Sequence, residues 1–532
     1  MAWLLICLCV MTLSVETTSA KKKSPPPTKI IYIPHDNRPI SDAQTATVVE
    51  RLGYNVVVPP DSYLGGADNL GDPDVLWDWL YEAAKDKQVK AVIVSTDSLL
   101  YGSLVGSRQH DYTAAELIER ADRFISFRKK FSKLRLYAFG SIMRTPKTGE
   151  ASGHMEPLYY QQYGTDIFRY TALRDKAETE KLSYRETKEL RFLQELLPRD
   201  GLKDWLDRRQ KNYSVNEHLI DLTRKKNFDY FVLGRDDNAP YSKTHSEHRH
   251  LSEYAAGLGK EQYQSISGID EIGMLLLTRA VCDLRREIPF VYVKYNWGRG
   301  EDVIPLYSDE KISLSINDEI LTAGGMPVTA PDKADLVLMV NTNPSGKTFE
   351  AGDRSNTSKA REGSNYFAEL VKEMVDKNYP VAVADIAYAN GADNAVMESM
   401  RQKGLLFRLQ AYSGWNTATN STGFAIGAGI LAKYMDRAAI NELLLTRYLD
   451  DWAYQANVRS SMARQLTWLK GDGVYGRLNG KRENVATRTA KMMTSFVERN
   501  LMEIPSGYKL LIDFPWNRMF EADIHWTNEI TN

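Results

Sequence analysis

The sequence predicts a mixed α/β protein with mostly parallel strands, either a (β/α)8-barrel-like or a doubly wound body, with a helical C-terminal region. Three observations predict this class. Short β-branched runs alternate with longer helical segments from residue 30 to about residue 416. Most of these runs are continuously apolar, which is typical of strands covered on both faces. Beyond residue 423 the strand-like runs stop, and one helical pattern follows another.

The strand candidates follow one another at the spacing that parallel crossover connections require. They are Ile30–Ile33, Val56–Val58, Ala91–Ser95, Leu134–Phe139, Tyr230–Leu233, Gln264–Ser267, Phe290–Val293, Leu336–Val340, Val381–Ala384 and Leu406–Leu409. Polar residues cluster at the ends of many of these strands. That distribution favours one common mouth, as in a barrel, over the single switch point of a doubly wound sheet.

The N-terminal residues 1–20 are interpreted as a secretory signal. An apolar segment from Leu4 to Ser14 is followed by mostly polar residues and three lysines, with Ala20 as the last residue removed. We therefore expect a secreted or periplasmic (extracytoplasmic) mature protein. Cys7 and Cys9 would leave with the signal, so the remaining Cys282 could form no intrachain disulfide.

The mature chain is predicted to have two parts. Residues 21–424 form the α/β domain, and residues 425–532 form the helical C-terminal region. A stretch near residues 173–211 is rich in Glu, Lys and Arg and interrupts the strand series. It is predicted to be a helical insertion whose charges form a solvated face.

Composition limits the partners. The 532 residues are 43% hydrophobic and 26% charged, with 68 basic and 69 acidic side chains. This is the profile of a soluble globular protein with a large core. Nothing in this balance points to nucleic acid or, after signal cleavage, to a membrane, and the oligomeric state stays open. The dinucleotide fingerprint GxGxxG is absent, so no cofactor is predicted, and a small molecule or oligosaccharide is the expected substrate.

Polar residues that follow the predicted strands are the candidate substrate-binding residues, because sites in parallel sheets lie at the carboxyl ends of strands. These candidates are Asp36, Arg38, Asp97, Tyr101, Arg108, Arg144, Asn390, Asp393, Trp415, Asn416 and Asn420. Helix capping accounts for a single aspartate in such a position, with Asp97 as an example. It does not account for several arginines at the same edge.

Two pairs of adjacent carboxylates are the candidate catalytic residues, namely Asp236 with Asp237 and Asp270 with Glu271. Both members of such a pair can turn into one pocket, where each raises the pKa of the other. One protonated and one ionised carboxyl group is the combination that glycoside hydrolysis uses. The sequence therefore favours an exported glycoside hydrolase-like enzyme, with N-acetylated sugars as one substrate class.

Two alternatives stay open. A metal-dependent hydrolase could use His35, Asp36, Asp97, Asp236 and Asp237 as ligands of a divalent ion. The motif HExxH is absent, however, and no metal site is assigned. The other alternative is a sugar-binding protein without catalytic turnover.

A series of short blocks carries a family resemblance. In order they are HDNRP, STDSLLYGSLVGSR, IMRT, GRDDNAPY, GIDEIG, AYANGAD and GWNTATN. Over nearly the whole mature chain this series resembles the bacterial domain-of-unknown-function family 4127. Ser103 and Ser242 stand where the family usually has glycine. The resemblance implies no activity. The Asp-Asp and Asp-Glu pairs are also similar, by fold-level analogy, to those of substrate-assisted N-acetylhexosaminidases.

Overall fold

The structure is a computed structural model and describes residues 27–147, 155–469 and 473–528. The predicted signal, residues 1–20, lies outside the described residues. Among the helices of the described ranges, none combines the length and the apolar character needed to cross a membrane. Cys282 is a free, buried cysteine, as the sequence indicated.

The strands are short and mostly buried. They are β1 Lys29–Ile33, β2 Asn55–Val57, β3 Val89–Ser95, β4 Arg135–Ile142, β5 Tyr230–Arg235, β6 Tyr263–Ser267, β7 Phe290–Tyr295, β8 Met326–Val328, β9 Leu336–Asn341, β10 Phe349–Glu350, β11 Val381–Asp385, β12 Tyr388–Ala389, β13 Ala411–Ser413, β14 Tyr508–Asp513 and β15 Asp523–Asn528.

The helices connect and cover these strands. They are α1 Ala43–Glu50, α2 Pro73–Ala83, α3 Thr96–Tyr101, α4 Gly106–Gln109, α5 Ala114–Lys130, α6 Leu158–Thr179, α7 Tyr184–Leu196, α8 Arg199–Arg224, α9 Lys243–Tyr254, α10 Ile272–Arg285, α11 Ile312–Thr322, α12 Glu362–Asp376, α13 Asn394–Gln402, α14 Ala418–Ala432, α15 Arg437–Arg447, α16 Arg459–Gln465 and α17 Arg482–Asn500. A π-helical segment, Tyr448–Val458, joins α15 to α16.

Two parallel sheets form the body. The first has six strands in the order β2-β1-β3-β4-β5-β6, and the second has five in the order β13-β11-β9-β7-β8. The α/β class is thereby confirmed. Both strand orders are those of doubly wound folds, one of the two predicted architectures. The eight-stranded barrel is not confirmed.

Helices α10 and α14 lie between the two sheets and share one apolar core with them. All residues of α14 are buried, and its glycines permit this close packing. A Cβ at Gly427 would meet Met274 Cγ of α10 at 2.8 Å, and one at Gly429 would meet Leu336 Cδ2 of β9 at 2.8 Å. The small residues of α14 therefore allow one helix to contact both halves of the protein.

The structure differs from the predicted elements in several places, and the short strands β8, β10 and β12 are among the elements that the sequence did not predict. Leu406–Arg408 forms a short 3₁₀ turn, and the strand begins at Ala411 instead. The C-terminal region is helical as far as Asn500, but it then forms the antiparallel pair β14 and β15. The helical insertion is present and larger than expected, because α6, α7 and α8 extend from residue 158 to residue 224.

Candidate functional site

A cavity of about 630 Å³, measured with the solvent at its mouth, opens where the carboxyl ends of both large sheets meet. The first sheet contributes charged residues, which are Arg38, Arg108, Arg144, Asp236, Asp237 and Asp270. The second sheet contributes Asn390, Asn416 and, after β7, Tyr307, and later parts of the chain contribute Tyr475, Trp516, Arg518 and Phe520. The common mouth that the sequence predicted therefore forms between two open sheets.

Asp236 and Asp237 follow β5 directly and both line the cavity. The backbone of Asp237 is left-handed, with φ of 38°, so the chain turns sharply as the strand ends. This turn brings two consecutive side chains to the same side, whereas in a strand they would point to opposite faces. Each carboxylate has its own arginine. Arg108 donates to Asp236, and Arg144 Nη1 lies 2.7 Å from Asp237 Oδ2.

The surroundings of Asp237 favour its protonated form more than those of an exposed aspartate do. Burial, and after it the negative charge of Asp236, raise the pKa of Asp237 to about 6, although Arg144 and Arg108 oppose the rise. Arg144 is shared, because its Nε also lies 2.7 Å from Glu156 Oε1. Asp237 can therefore hold and release a proton in the range where most enzymes work.

Asp270 has a different environment, in which donors surround its carboxylate. His35 Nε2 and Arg38 Nη2 lie 2.9 and 2.5 Å from Oδ1. Asn416 Nδ2 and Asn420 Nδ2 lie 2.9 and 3.1 Å from Oδ2. Burial favours the protonated form, but Arg38 and His35 outweigh it and hold the pKa of Asp270 well below its usual range. Asp270 is thus an ionised acceptor that connects the first sheet to the second.

The residues around Asp270 include candidate ligands for the metal-dependent hydrolase alternative. His35, Asp36 and Asp270 place ligand atoms within 4.8 Å of one another, and their types suit a divalent cation. The Arg38 guanidinium lies among them. Its Nη2 is 2.7 Å from Asp36 Oδ2, 2.5 Å from Asp270 Oδ1 and 3.1 Å from His35 Nε2. An arginine side chain thus already supplies the positive charge at this point.

Glu271 does not share the cavity with Asp270, contrary to the expectation that both members of that pair turn into one pocket. It precedes α10 and is only 1% exposed. A Cβ at Gly423 would approach Glu271 Cγ to 2.5 Å, so the side chain is packed under α14. Burial raises the pKa of Glu271 well above its usual value. Consecutive positions separate here because α10 begins at once and carries Glu271 inward.

Three further candidates from the sequence lie beside the cavity and contact residues that line it. Asp36 Oδ2 accepts a hydrogen bond from Arg38 Nε at 2.9 Å. The Trp415 ring lies 5.9 Å from the Arg38 guanidinium carbon. Asn420 reaches Asp270, as described above. These three side chains therefore hold Arg38 and Asp270 in position.

Asp97, Tyr101 and Asp393 lie away from the cavity wall. Burial raises the pKa of Asp97 to about 6, against hydrogen bonds from Ser141. Tyr101 is buried and stacks on His110 with ring centroids 4.9 Å apart. Asp393 caps α13 and accepts from Ala395 N at 3.0 Å. Helix capping is a common structural role of an aspartate that follows a strand.

Asn390 and Asn416 bring the second sheet to the cavity. Both have left-handed backbones, with φ of 61° and 60°, a conformation that asparagine tolerates better than most residues. Asn390 N donates to Asn416 O at 2.6 Å, and this hydrogen bond links the loop of Asn390 to the loop of Asn416. Glu350 then bridges the rim, accepting from Asn390 Nδ2 and from the Tyr307 hydroxyl, each at 2.8 Å.

The C-terminal contribution was not predicted from the sequence. Between β14 and β15 the chain presents Trp516, Arg518 and Phe520 to the cavity. Trp516 lies between Arg38 and Arg518, whose guanidinium carbons are 5.1 and 4.9 Å from its ring. Its Nε1 also donates to Asn37 Oδ1 at 2.7 Å. The alternation of aromatic and charged residues in FPWNRMF was a detectable signal, but nothing local placed it at this mouth.

A family model described as "Protein of unknown function (DUF4127)" matches residues 30–525, which confirms the resemblance seen in the ordered blocks. The search of curated proteins finds no match.

Proposed function

The chain belongs to the DUF4127 family, and we propose that it is an exported glycoside hydrolase-like enzyme, with N-acetylated sugars as one substrate class. The observation that carries the proposal is the pair Asp236 and Asp237. Both carboxyl groups line one cavity and pair with different arginines, and the pKa of Asp237 is raised to about 6. Two neighbouring carboxyl groups in unlike states are what acid-assisted cleavage of a glycosidic bond requires.

The chemistry assigns one role to each carboxyl group. Asp237 donates its proton to the glycosidic oxygen while the bond from that oxygen to the anomeric carbon breaks. Asp236 orients or stabilises the reacting group, which carries positive charge as the bond breaks. Water supplies the hydroxyl group of the new sugar end, and its remaining proton restores the acid.

The rest of the cavity suits a sugar ring. Aromatic side chains, among them Tyr475, Trp516 and Phe520, form one wall on which the C–H face of a sugar can pack. Asn390 and Asn416 offer both donors and acceptors, which fit hydroxyl and acetamido groups. Four arginines also line the cavity or its rim, but carboxylates pair with each of them. The cavity is therefore suited to a neutral substrate.

The test is hydrolysis of a panel of aryl glycosides, including N-acetylhexosaminides, by the mature protein with and without a chelator. We expect hydrolysis that the chelator does not reduce. Loss of activity with the chelator would support the metal-dependent alternative instead. Saturable sugar binding without any turnover would support the non-catalytic alternative.

Substitutions at the pair refine the test. Asp237→Asn should lose activity mainly on substrates with poor leaving groups, since activated aryl glycosides need little protonation. Asp236→Asn should reduce the rate on both classes of substrate. Asp270→Asn and Glu271→Gln are the matched controls at the other pair. Unchanged rates in both Asp236→Asn and Asp237→Asn would refute the assigned roles.

A further inference from the structure

Helix α7 of the insertion carries an unusual outward face. Tyr184, Phe192 and Leu196 are 76%, 61% and 45% exposed. Their spacing in the helix places them along one side, because positions related by multiples of about four residues align. Large apolar side chains aligned on a surface in this way are typical of a contact site.

Cations lie beside these apolar side chains. Arg185, Lys188 and Arg191 are exposed on the same side of α7, and none of them forms an ion pair within the described ranges. Lys188 Nζ lies 4.7 Å above the Tyr184 ring, so it is held close to the apolar stripe. We call the surface formed by Tyr184, Arg185, Lys188, Arg191, Phe192 and Leu196 the α7 face.

The acidic residues of α7 are mostly turned away from this face. Glu186 Oε1 pairs with Lys176 Nζ at 2.8 Å, and Glu189 Oε1 pairs with Arg169 Nε at 2.7 Å, both on α6. Glu195 stays exposed. The helix therefore directs negative charge inward to its neighbour and leaves a net positive charge outside, although the whole chain is nearly neutral.

A further apolar side chain is exposed on the neighbouring helix α6. Leu158, the first residue of α6, is 80% exposed. Its neighbour Tyr159 contacts α8 beside Gly201 and hydrogen-bonds Asp204 at 2.6 Å. The ion pairs of Lys176 with Glu186 and of Arg169 with Glu189 show that α6 and α7 run antiparallel, so Leu158 lies at the end of the hairpin where α7 ends.

We propose that the α7 face binds an anionic lipid surface. Protruding leucine and phenylalanine side chains gain from an apolar medium, and unpaired cations beside them gain from anionic headgroups. Tyr184 suits the boundary between the two media, because its ring is apolar and its hydroxyl is polar. A soluble polyanion would satisfy the cations but would leave the leucines in water. This inference is independent of the proposed function.

The test is co-sedimentation of the full mature chain with vesicles. One set is phosphatidylcholine alone, and the other contains about one-third phosphatidylserine. We expect about tenfold or more tighter binding to the anionic vesicles at low salt, and a marked loss at about 0.5 M NaCl, where screening is strong. Equal binding to both vesicles, or binding to neither, would overturn the proposal.

Matched variants locate the contact. The double variant Lys188→Glu with Phe192→Ser should lose most of the binding to anionic vesicles. Its control is Lys129→Glu with Ile125→Ser on α5, which has the same spacing and also exposes a cation and an apolar side chain. Equal losses in both double variants would exclude the α7 face. Retention on heparin without binding to anionic vesicles would assign the face to a soluble polyanion and refute the lipid contact.

Discussion

Three features of Asp237 set its electrostatic environment. It is adjacent to a second carboxylate, its backbone is left-handed, and an arginine lies 2.7 Å from one of its oxygens. The arginine favours the charged form, while burial and Asp236 favour the neutral form, and the balance sets the pKa at about 6. A carboxyl group in this balance responds to small changes in pH near neutrality.

This balance predicts the pH dependence of any hydrolysis that relies on Asp237 as the acid. The acid must be protonated, so kcat/KM should fall as the pH rises through about 6. Substitution Arg144→Met removes a positive charge that opposes the rise, so the falling limb should move to higher pH. The measurement is a pH–rate profile on one glycoside. If the falling limb stayed at the same pH in the variant, it would report the ionisation of a group other than Asp237.

Residue types near the site were partly predictable from sequence. Arg38, Arg108, Arg144, Asp236 and Asp237 all follow strands, and the rule that sites form at strand ends was enough to find them. Trp516 and Arg518 follow no strand of a parallel sheet, and only the docking of the C-terminal segment brings them to the cavity. The same rule failed for Glu271, because the first turn of α10 carries it into the core.

At the scale of elements, α10, α11 and α14 enclose two acidic side chains. Glu271 and Glu319 are 1% and 0% exposed, and burial raises the pKa of each. The charge of Glu271 raises the pKa of Glu319 further, whereas the charges of Asp270 and Asp236 raise the pKa of Glu271. Thr422 Oγ1 donates to Glu319 Oε1 at 2.9 Å, whereas no side-chain hydrogen bond to the Glu271 carboxyl oxygens is found within the described ranges. Burial therefore favours the protonated forms of both groups in the folded protein.

Glu271→Gln should consequently reduce the loss of stability at alkaline pH. The unfolded chain releases this proton above about pH 4.3, and the folded protein retains it to much higher pH. Each retained proton lowers the free energy of unfolding by about 1.4 kcal/mol per pH unit within that window. Glutamine cannot ionise, so this contribution disappears. Urea unfolding between about pH 5 and pH 9 measures the slope, and the exposed substitution Glu195→Gln is the control. If the free energies of unfolding of wild type and Glu271→Gln changed with pH at the same slope, the raised pKa of Glu271 would be contradicted.

The π-helical segment Tyr448–Val458 positions the loops of the second sheet. Asp451 Oδ2 accepts from Gly414 N at 2.8 Å, and Asp451 O accepts from Ala392 N at 3.0 Å. These loops carry Asn416 and Asn390 to the cavity. Irregular turns within helices are frequent near functional sites, and here the widened helix supplies two acceptors to two loops.

Asp451→Ala should loosen the Gly414 loop. The variant leaves a buried amide without its acceptor, which costs about 1–3 kcal/mol. Hydrogen exchange at Gly414 should become faster, while Asp451→Asn, which keeps an acceptor oxygen, should retain most of the protection. Burial raises the pKa of Asp451 to about 7, so asparagine resembles a form that the wild-type side chain already visits. Equal exchange in both variants would show that another contact fixes the loop.

At the scale of the whole molecule, the strands were the most predictable part. Most candidates were recognised because both faces of a parallel strand are buried and the sequence is continuously apolar. The exception, Leu406–Leu409, contains Arg408 and no β-branched residue, and it lies in a turn before β13. How the strands divide into two sheets was not predictable, because the grouping depends on the packing of α10 and α14 between them. A common mouth does not require a barrel, because the carboxyl ends of two separate sheets meet at one cavity here.

Asp270 is the side chain that joins the two halves most directly, and this predicts a large cost on its removal. It binds His35 and Arg38 from the first sheet, Asn416 from the loop after β13 of the second sheet, and Asn420 from α14. Asp270→Asn would leave the buried Arg38 guanidinium with less compensation, at a cost of about 3–5 kcal/mol. The more exposed Asp237→Asn should cost less, so comparing their free energies of unfolding in urea provides the control.

The pH dependence of that loss follows from the sign of the shift. The pKa of Asp270 is held below its usual range, chiefly because Arg38 and His35 outweigh burial. Its contribution is therefore complete above the pKa of an unfolded aspartate, about 3.9, and is lost as the pH falls through the lower folded value. Asp270→Asn should then flatten the acid limb of stability against pH while lowering stability at neutral pH. If the variant were as stable as wild type at neutral pH, the two sheets would be held together by the apolar packing of α14 alone, and the polar cluster would serve only the cavity.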